Sequence, residues 1–507
     1  MSATRTSAAT PFAVALLAAS LLTASGLAQS PPATPQQPPA PPNGQRNFGP
    51  AIGVPTPGMP FVHDPSTVVH FHGRYYVYAT GRGIPFSSSP DGVTWTREGS
   101  VFTQIPDAVH AAVPKNDGSN VWAPDILRIG NLFYLYYAVS SWGSFASAVA
   151  LATNPVLDPK DPAYHWTDRG IVVSSDGVED LNAIDPGVIL TPNGQLWICY
   201  GSYHGSIRIT QLDPNTGLAL APNQLGAPVA TARESEASDI IFHDGFYYLF
   251  VNHGSCCKGK DSQYNIRVGR SQAITGPYLD KHGDPMTKGG GSLFLAAHDH
   301  RIGPGHFGRV LDYDAPPDPA ERFSLHYEAD LTRNGRSVLD IRPLLWSTDG
   351  WPIPGDNLAA ATYQIVARTS ENTLAEAALI QPIPTAAQPA PAAPPSPPAS
   401  PALHLTRYLT LDNEKWNLAP ATNGLYKITN TATSDAIGIA TAGSPHIELA
   451  PYTAAPSQLW QLDQLPNGAY RIRNPASSLT LTESPGATVT ATPFTNDDLH
   501  LWTITSP

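Results

Sequence analysis

The chain has 507 residues and a formal net charge of −12, with 29 Lys and Arg against 41 Asp and Glu. An acidic chain without a Lys/Arg cluster argues against a nucleic-acid partner. Charged residues are only 14%, with 53 Pro and 41 Gly, which argues against a helical cytosolic protein and for a β-rich exported one of two or three domains.

Residues 1–28 read as a secretory signal. Arg5 lies in the n-region, an apolar run spans Phe12 to Leu22, and Gly26-Leu27-Ala28 offers a small-residue cleavage site. The apolar run is too short to span a bilayer, which takes roughly 20 residues. A secreted or periplasmic protein is therefore expected, with no membrane association after cleavage. Residues 29–57 are rich in Pro, Gln and Gly and are expected to form a disordered leader. The chain has three Cys, so they cannot all pair within it, and disulfides are not its scaffold.

Residues 58–358 read as short strands broken by turns. Aromatic strands begin near Arg74, Leu132, Gln195, Phe246 and Phe323, mostly after a Gly or Asn. Five similar all-β units predict a five-bladed β-propeller, four strands to a blade. A β-sandwich, the alternative, has no need of five similar units. The fourth unit opens with Glu234 to Gly259, which reads as strand, His243-Asp244-Gly245 turn and aromatic strand, ending in adjacent Cys256 and Cys257. A vicinal disulfide and two free thiols are both open there.

Residues 359–507 carry a second pattern. Tyr363-Gln364-Ile365-Val366, Tyr426-Lys427-Ile428-Thr429 and Tyr470-Arg471-Ile472-Arg473 match one another. Tyr408, Tyr452 and Phe494 each stand eight residues before a Trp, at Trp416, Trp460 and Trp502. Three repeats of this kind make a β-trefoil. The first is longer than the second by the Pro/Ala-rich run 382–401, read as an insertion within it. Tyr363–Val366 is expected to pair with the segment around Leu405–Tyr408. The pattern resembles the ricin-type lectin trefoil, although only Gln458-Leu459-Trp460 keeps its Gln-x-Trp motif. The sugar-binding Asp of such lectins is not evident, so polysaccharide contact by this domain is an open expectation.

Four acids stand out in the propeller region: Asp64, Asp125, Asp185 and Glu236, each shortly before a blade's aromatic strand. Equivalent positions of different blades converge on the axis, so these acids are expected to cluster at one end of the channel. Clustered carboxylates shift one another's pKa, and glycoside hydrolysis needs one protonated and one ionised. An isolated Asp-Pro would be an ordinary turn former.

His63-Asp64-Pro65-Ser66, Trp122-Ala123-Pro124-Asp125-Ile126, Ala183-Ile184-Asp185-Pro186, Ser235-Glu236-Ala237 and Val251-Asn252-His253-Gly254-Ser255-Cys256-Cys257 together resemble glycoside hydrolase family 43. So do Tyr264-Asn265-Ile266-Arg267, Gly303-Pro304-Gly305-His306 and Ile341-Arg342-Pro343-Leu344. The resemblance is to the family's endo-α-1,5-L-arabinanases and covers residues 58–355. It implies an inverting mechanism on plant cell-wall arabinan or arabino-oligosaccharides. Asp64 would be the general base, Glu236 the general acid, and Asp185 the residue that orients Glu236 and raises its pKa. Inversion would place the base and acid roughly 6.5–9.5 Å apart. His63, Trp122, Asp125, Ser141 and Trp142 would contact substrate. His306 would ligate an axial calcium ion completed by water, an unusual choice for an ion that prefers oxygen. The sequence departs from the family at Ala237-Ser238-Asp239, where a Pro is common, and at Phe145, where a polar residue is common. Asp239 would perturb Glu236 or turn to solvent, and Glu234 is a rival acid by proximity. An exo-acting arabinofuranosidase or xylosidase and a noncatalytic sugar-binding protein are the competing readings. The protein is expected to be a monomer.

Overall fold

The computed structural model describes residues 51–221, 225–315, 318–377, 402–440 and 444–507. The expected signal, most of the expected leader and the Pro-rich run 382–401 lie outside the described residues.

Nearly every element is a strand. Blade one is Val68–Phe71, Arg74–Tyr78, Pro85–Ser89 and Thr94–Ser100; blade two is Val121–Ile129, Leu132–Val139, Ala146–Asn154 and Thr167–Asp176. Blade three is Gly187–Leu190, Leu196–Tyr200, Ser206–Leu212 and Ala227–Thr231. Blade four is Ser235–His243, Phe246–His253, Asn265–Ser271 and Ser292–Leu295; blade five is Arg301–Asp312, Arg322–Asp330, Arg336–Trp346 and Pro352–Pro354. The aromatic strands of the sequence are the second strands of the five blades. They lie between neighbouring blades, and Leu132–Val139 is buried along almost its whole length, which is why it reads as a continuous apolar run. Blades one and five meet through a parallel pairing of their innermost strands, Val310 opposite Val68 and Asp312 opposite His70.

One part of the expected leader is ordered. Pro55–Pro57 pairs with Thr94–Thr96 at the edge of blade one. Proline is tolerated at a sheet edge, where its missing N–H is not needed. The propeller therefore begins before residue 58.

The innermost strands share a backbone feature. Asp64, Ala123, Asp185, Ala237 and His306, one per blade, are all left-handed, with φ of 45°, 43°, 58°, 48° and 53°. In blades two, four and five the kink coincides with a break in register, between Trp122 and Asp125, Glu236 and Asp239, and Gly305 and Gly308. Each such residue costs on the order of 1–2 kcal/mol. Strain of this kind often gathers at functional sites, and here it recurs once in each blade.

Below the kinks, buried polar groups tie the blades together. Asp125 accepts from the backbone N–H of Thr67 at 3.0 Å and of Val188 at 2.9 Å, joining blades one, two and three. Arg309 from blade five donates to the carbonyl of Val188 and lies 3.7 Å from Asp125 and 3.8 Å from Asp239.

The C-terminal part is three repeats of four strands. Six strands form a barrel: Ala361–Ala367 pairs with Trp416–Pro420 and Leu501–Thr505; Trp416–Pro420 pairs with Tyr426–Asn430; Gln461–Gln464 and Leu501–Thr505 both pair with Tyr470–Asn474. A bridge between Tyr426 and Trp460 completes the circuit. Three hairpins, Thr373–Glu376 with Leu403–Thr406, Asp435–Ile439 with Ile447–Pro451, and Leu479–Ser484 with Thr488–Thr492, close one end. Trp416, Trp460 and Trp502 are fully buried, and their indole N–H groups donate to the carbonyls of Leu374, Ile437 and Leu481 at 2.8, 2.8 and 2.9 Å. One expected pairing is corrected. Tyr363–Val366 faces the strands at Trp416 and Thr503, while Leu403–Thr406 pairs with Thr373–Glu376. A trefoil repeat sends its first strand to the barrel and its second and third to the hairpin cap, so the first strand cannot pair with the third.

Candidate active site

Four of the five kinked residues, Asp64, Asp185, Ala237 and His306, line a cavity of about 1000 Å³, and Trp122, next to the fifth, lines it too. Its floor holds His63 and Asp64 from blade one, Trp122 from blade two, Ile184 and Asp185 from blade three, Glu236 and Ala237 from blade four, and His306 from blade five. Trp142, Tyr203 and the Cys256-Cys257 segment also line the cavity, as do Leu331, Asn334, Gly335, Arg336 and Ser337.

Asp64 is heavily engaged on one side. Its Oδ2 accepts from Thr80 Oγ1 at 2.7 Å and faces His63 Nδ1 at 2.9 Å, while Oδ1 lies 3.6 Å from His306 Nδ1. Its backbone N–H donates to His326 Nδ1 at 3.3 Å. Burial opposes its charge, but His63 and His306 outweigh it and hold the carboxyl well below its ordinary range.

Glu236 lies in the opposite electrostatic state. Ser202 Oγ donates to its Oε2 at 2.7 Å. Burial pushes its pKa up to about 8, helped by the charges of Asp64 and Glu328 and resisted by the hydroxyls of Ser202 and Tyr203. Asp185 accepts the backbone N–H of Ala237 at 3.2 Å, fixing the residue after Glu236. Burial and the Glu236 carboxylate push Asp185 itself well above its ordinary range.

Three expected positions lie elsewhere. Asp125 is not among the cavity residues: it sits three residues past Trp122, beyond the kink, where it braces the inner strands. Ser141 also lies off the lining, its Oγ buried without a hydrogen-bond partner among the described residues. Asp239 neither contacts Glu236 nor reaches solvent. It is buried beside Arg309, and burial pushes its pKa up to about 8. Glu234 has a side chain 70% exposed and lies 3.7 Å from His253, so it lacks the burial that prepares Glu236. Phe145 stacks on His204 with ring centroids 4.2 Å apart and does not line the cavity. His63 does line it, but both its ring nitrogens face carboxylates, Asp64 at 2.9 Å and Glu328 at 3.2 Å.

Sequence reasoning missed Glu328, Thr80, Ser202 and Tyr203. Tyr203 donates to the carbonyl of Gly254 at 2.7 Å and accepts from the N–H of Cys256 at 3.3 Å, linking the Glu236 environment to the cysteine segment. Cys256 and Cys257 are joined as a vicinal disulfide. A signal for Glu328 did exist: it stands two residues after His326 in a buried strand, and alternate residues share a face.

Metal-ligand chemistry is sparse around His306. Its Nδ1 is engaged by Asp64, so an ion would have to take Nε2, with water supplying most of the six to eight oxygens calcium needs. Burial opposes a proton on this ring, yet Asp64 wins and raises its pKa, so an ion would also compete with that proton. Clustered donors among the described residues are His63, Asp64 and His326; His63, Cys257 and Glu328; and His70, Asp312 and Asp314. None includes His306, and Cys257 is committed to its disulfide.

Comparison with known proteins agrees with this geometry. The model of the glycosyl hydrolases family 43 matches residues 55–352, and that of the ricin-type beta-trefoil lectin domain-like family matches residues 412–505. The extracellular exo-alpha-(1->5)-L-arabinofuranosidase ArbA of Cellvibrio japonicus is 36% identical over 305 residues, 57% of this chain and 85% of that protein. The extracellular endo-alpha-(1->5)-L-arabinanase 1 of Bacillus subtilis is 35% identical over 307 residues, 57% of this chain and 87% of that protein. Among solved structures, an exo-1,5-alpha-L-arabinanase from a bovine ruminal metagenomic library matches with a TM-score of 0.54 at 36% identity, covering 59% of this chain and 98% of that one.

Proposed function

This chain belongs to glycosyl hydrolases family 43, and from that premise we propose that it hydrolyses internal α-1,5-L-arabinofuranosidic bonds of arabinan with inversion. Asp64 is the general base, Glu236 the general acid, and Asp185 positions Glu236 through the Ala237 N–H. The observation that carries this reading is the division of protons in one cavity. Around neutral pH Asp64 is ionised and Glu236, with a pKa of about 8, keeps its proton. Asp64 Oδ2 is occupied by Thr80 and His63, while Oδ1 has, among the described residues, only the longer 3.6 Å contact with His306 and is the oxygen with a lone pair to draw a proton from water. Water attacks the anomeric carbon as Glu236 protonates the departing oxygen, which is the inverting arrangement. Trp122 and Trp142, with ring centroids 5.3 Å apart, offer faces for sugar stacking.

The endo reading is supported by the 35% identity to an endo-alpha-(1->5)-L-arabinanase, and by a cavity of about 1000 Å³ lined by Trp122, Trp142 and residues from Leu331 to Ser337 besides the acids, which has room for more than one sugar. Exo action is the second reading, favoured by the names of two of the similar proteins. Product analysis decides between them: mixed oligosaccharides early in digestion of linear arabinan support endo action, and a single short product from the outset supports exo action.

The remaining parts of the proposal are an exported monomer, a water-completed calcium ion on His306 Nε2, and polysaccharide contact by the C-terminal domain. Among the described residues, no helix is long and apolar enough to cross a membrane.

A further inference from the structure

We propose that Glu328 is a positioning residue for the reaction, holding His63 as an imidazolium clamped onto Asp64 Oδ2 and so leaving Oδ1, on the His306 side, to meet the nucleophilic water. The inference rests on the assignment of Asp64 as general base.

The geometry carries it. His63 Nδ1 lies 2.9 Å from Asp64 Oδ2, and His63 Nε2 lies 3.2 Å from Glu328 Oε1. Two ionised carboxylates are acceptors only, so each contact needs an N–H from the ring. A neutral imidazole has one N–H and satisfies one of them; the imidazolium satisfies both. Glu328 is nearly closed to solvent, its side chain 3% exposed, and a buried carboxylate without a cationic partner would be strongly disfavoured. His326 cannot be that partner. Its Nδ1 accepts the N–H of Asp64, which puts its single proton on Nε2, 3.7 Å from Glu328. His326 is therefore neutral, and His63 carries the charge.

The surroundings agree. Burial opposes charge on His63, but Asp64 and Glu328 outweigh it and raise its pKa well above the ordinary value. Burial raises and His63 lowers the Glu328 pKa, leaving it at about 2, while burial and the charge of His63 lower that of His326. The groups facing His63 are Asp64 from its own segment and Glu328 and His326 from the strand Arg322–Asp330. Cys257 Sγ lies within the same cluster but does not titrate as a disulfide. Beyond Asp64 stands His306 from the strand Arg301–Asp312. Two further details favour a built feature. Glu328 lines the cavity, and Gly303, at φ +62°, leaves room for it: a Cβ there would come within 2.9 Å of Glu328 Cγ.

The test reads His63 directly. In protein labelled with 15N-histidine, the resonances lost in His63→Gln identify its ring. We expect both nitrogens at imidazolium positions at pH 7, against an ordinary midpoint of about 6.5. Glu328→Gln should lower that midpoint by about one unit or more. It should also lower kcat on linear arabinan about tenfold or more at pH 7, with KM within about threefold, and Glu328→Asp should recover part of the loss, as general-base alignment requires. A neutral His63 at pH 7 in the unmodified protein overturns the proposal, even if Glu328→Gln fails to fold. So does a folded Glu328→Gln enzyme with unchanged kcat. An imidazolium at His63 in a protein that leaves arabinan intact supports the clamp and contradicts the assigned substrate, so the two failures are separable.

Discussion

At the scale of single residues, environment separates groups that composition treats alike. Glu234 and Glu236 are two positions apart, yet one is exposed and the other is buried beside Ser202 and Tyr203. Asp64→Ala should reduce turnover by about 10²–10⁴, the range of general acid–base catalysis, in a protein that still folds but melts lower, because His63 and His306 lose their carboxylate partner. The motif Gly303-Pro304-Gly305-His306 was legible as a signal before its reason was. A Cβ on Gly305 would stand 2.5 Å from Asn252 Nδ2 and 2.6 Å from the Tyr264 ring, and Asn252 Oδ1 holds the His306 N–H at 3.0 Å. Gly305→Ala should therefore cost about 1–3 kcal/mol, as overpacking does, and lower kcat by moving His306 against Asp64. Thermal melts and steady-state kinetics check it. An unchanged melting temperature would mean that the strand gives way at no cost.

At the scale of elements, aromatic strands and paired acids were readable because burial on both faces and proximity to a turn leave local traces. The left-handed kinks were not, because nothing in an Ala or His codon position announces a φ near +50°. They explain why Trp122, three residues before Asp125, took the position in the cavity. The acids expected in register stand ten residues before their aromatic strands in three blades, as Asp64, Asp185 and Glu236 do, and in blade two that place is filled by Trp122. In the C-terminal part, the indole of Trp416 bonds the carbonyl of Leu374 across residues 378–401, and Glu376 pairs with Leu403. Joining the chain directly across 382–401 should thus leave the melting temperature within a few degrees, since loop length enters closure entropy only logarithmically. A fragment beginning at 402 lacks the strand Ala361–Ala367 that pairs with both Trp416–Pro420 and Leu501–Thr505. It should fail to show a cooperative melt. A stably folded fragment would mean that the two remaining repeats and part of the third suffice for a core.

At the scale of the whole molecule, the order of its two folds follows from repeats in the sequence and the family from a resemblance of motifs, whereas the proton distribution needs the assembled cavity. As the proposed general acid Glu236 would act protonated, and its pKa is raised to about 8, so kcat/KM should be level through neutrality and fall as pH rises through about 8. Asp64 is held below its ordinary range and must be ionised, so the acid limb should lie below the usual carboxylate pKa. If His306 holds a calcium ion, exhaustive chelation should lower the melting temperature, and added calcium should restore it in proportion to the logarithm of its concentration. An unchanged melt would leave His306 as a partner of Asp64 alone. The most direct test of the central claim is the pair Glu236→Ala and Asp64→Ala, assayed on linear arabinan and on an arabino-oligosaccharide carrying a dinitrophenolate leaving group. Dinitrophenolate departs without a proton, so the Glu236 variant should fail on arabinan yet recover most of its rate on the activated substrate, while the Asp64 variant should fail on both. Equal losses on the two substrates for Glu236→Ala, or recovery by Asp64→Ala, would contradict the assignment of acid and base.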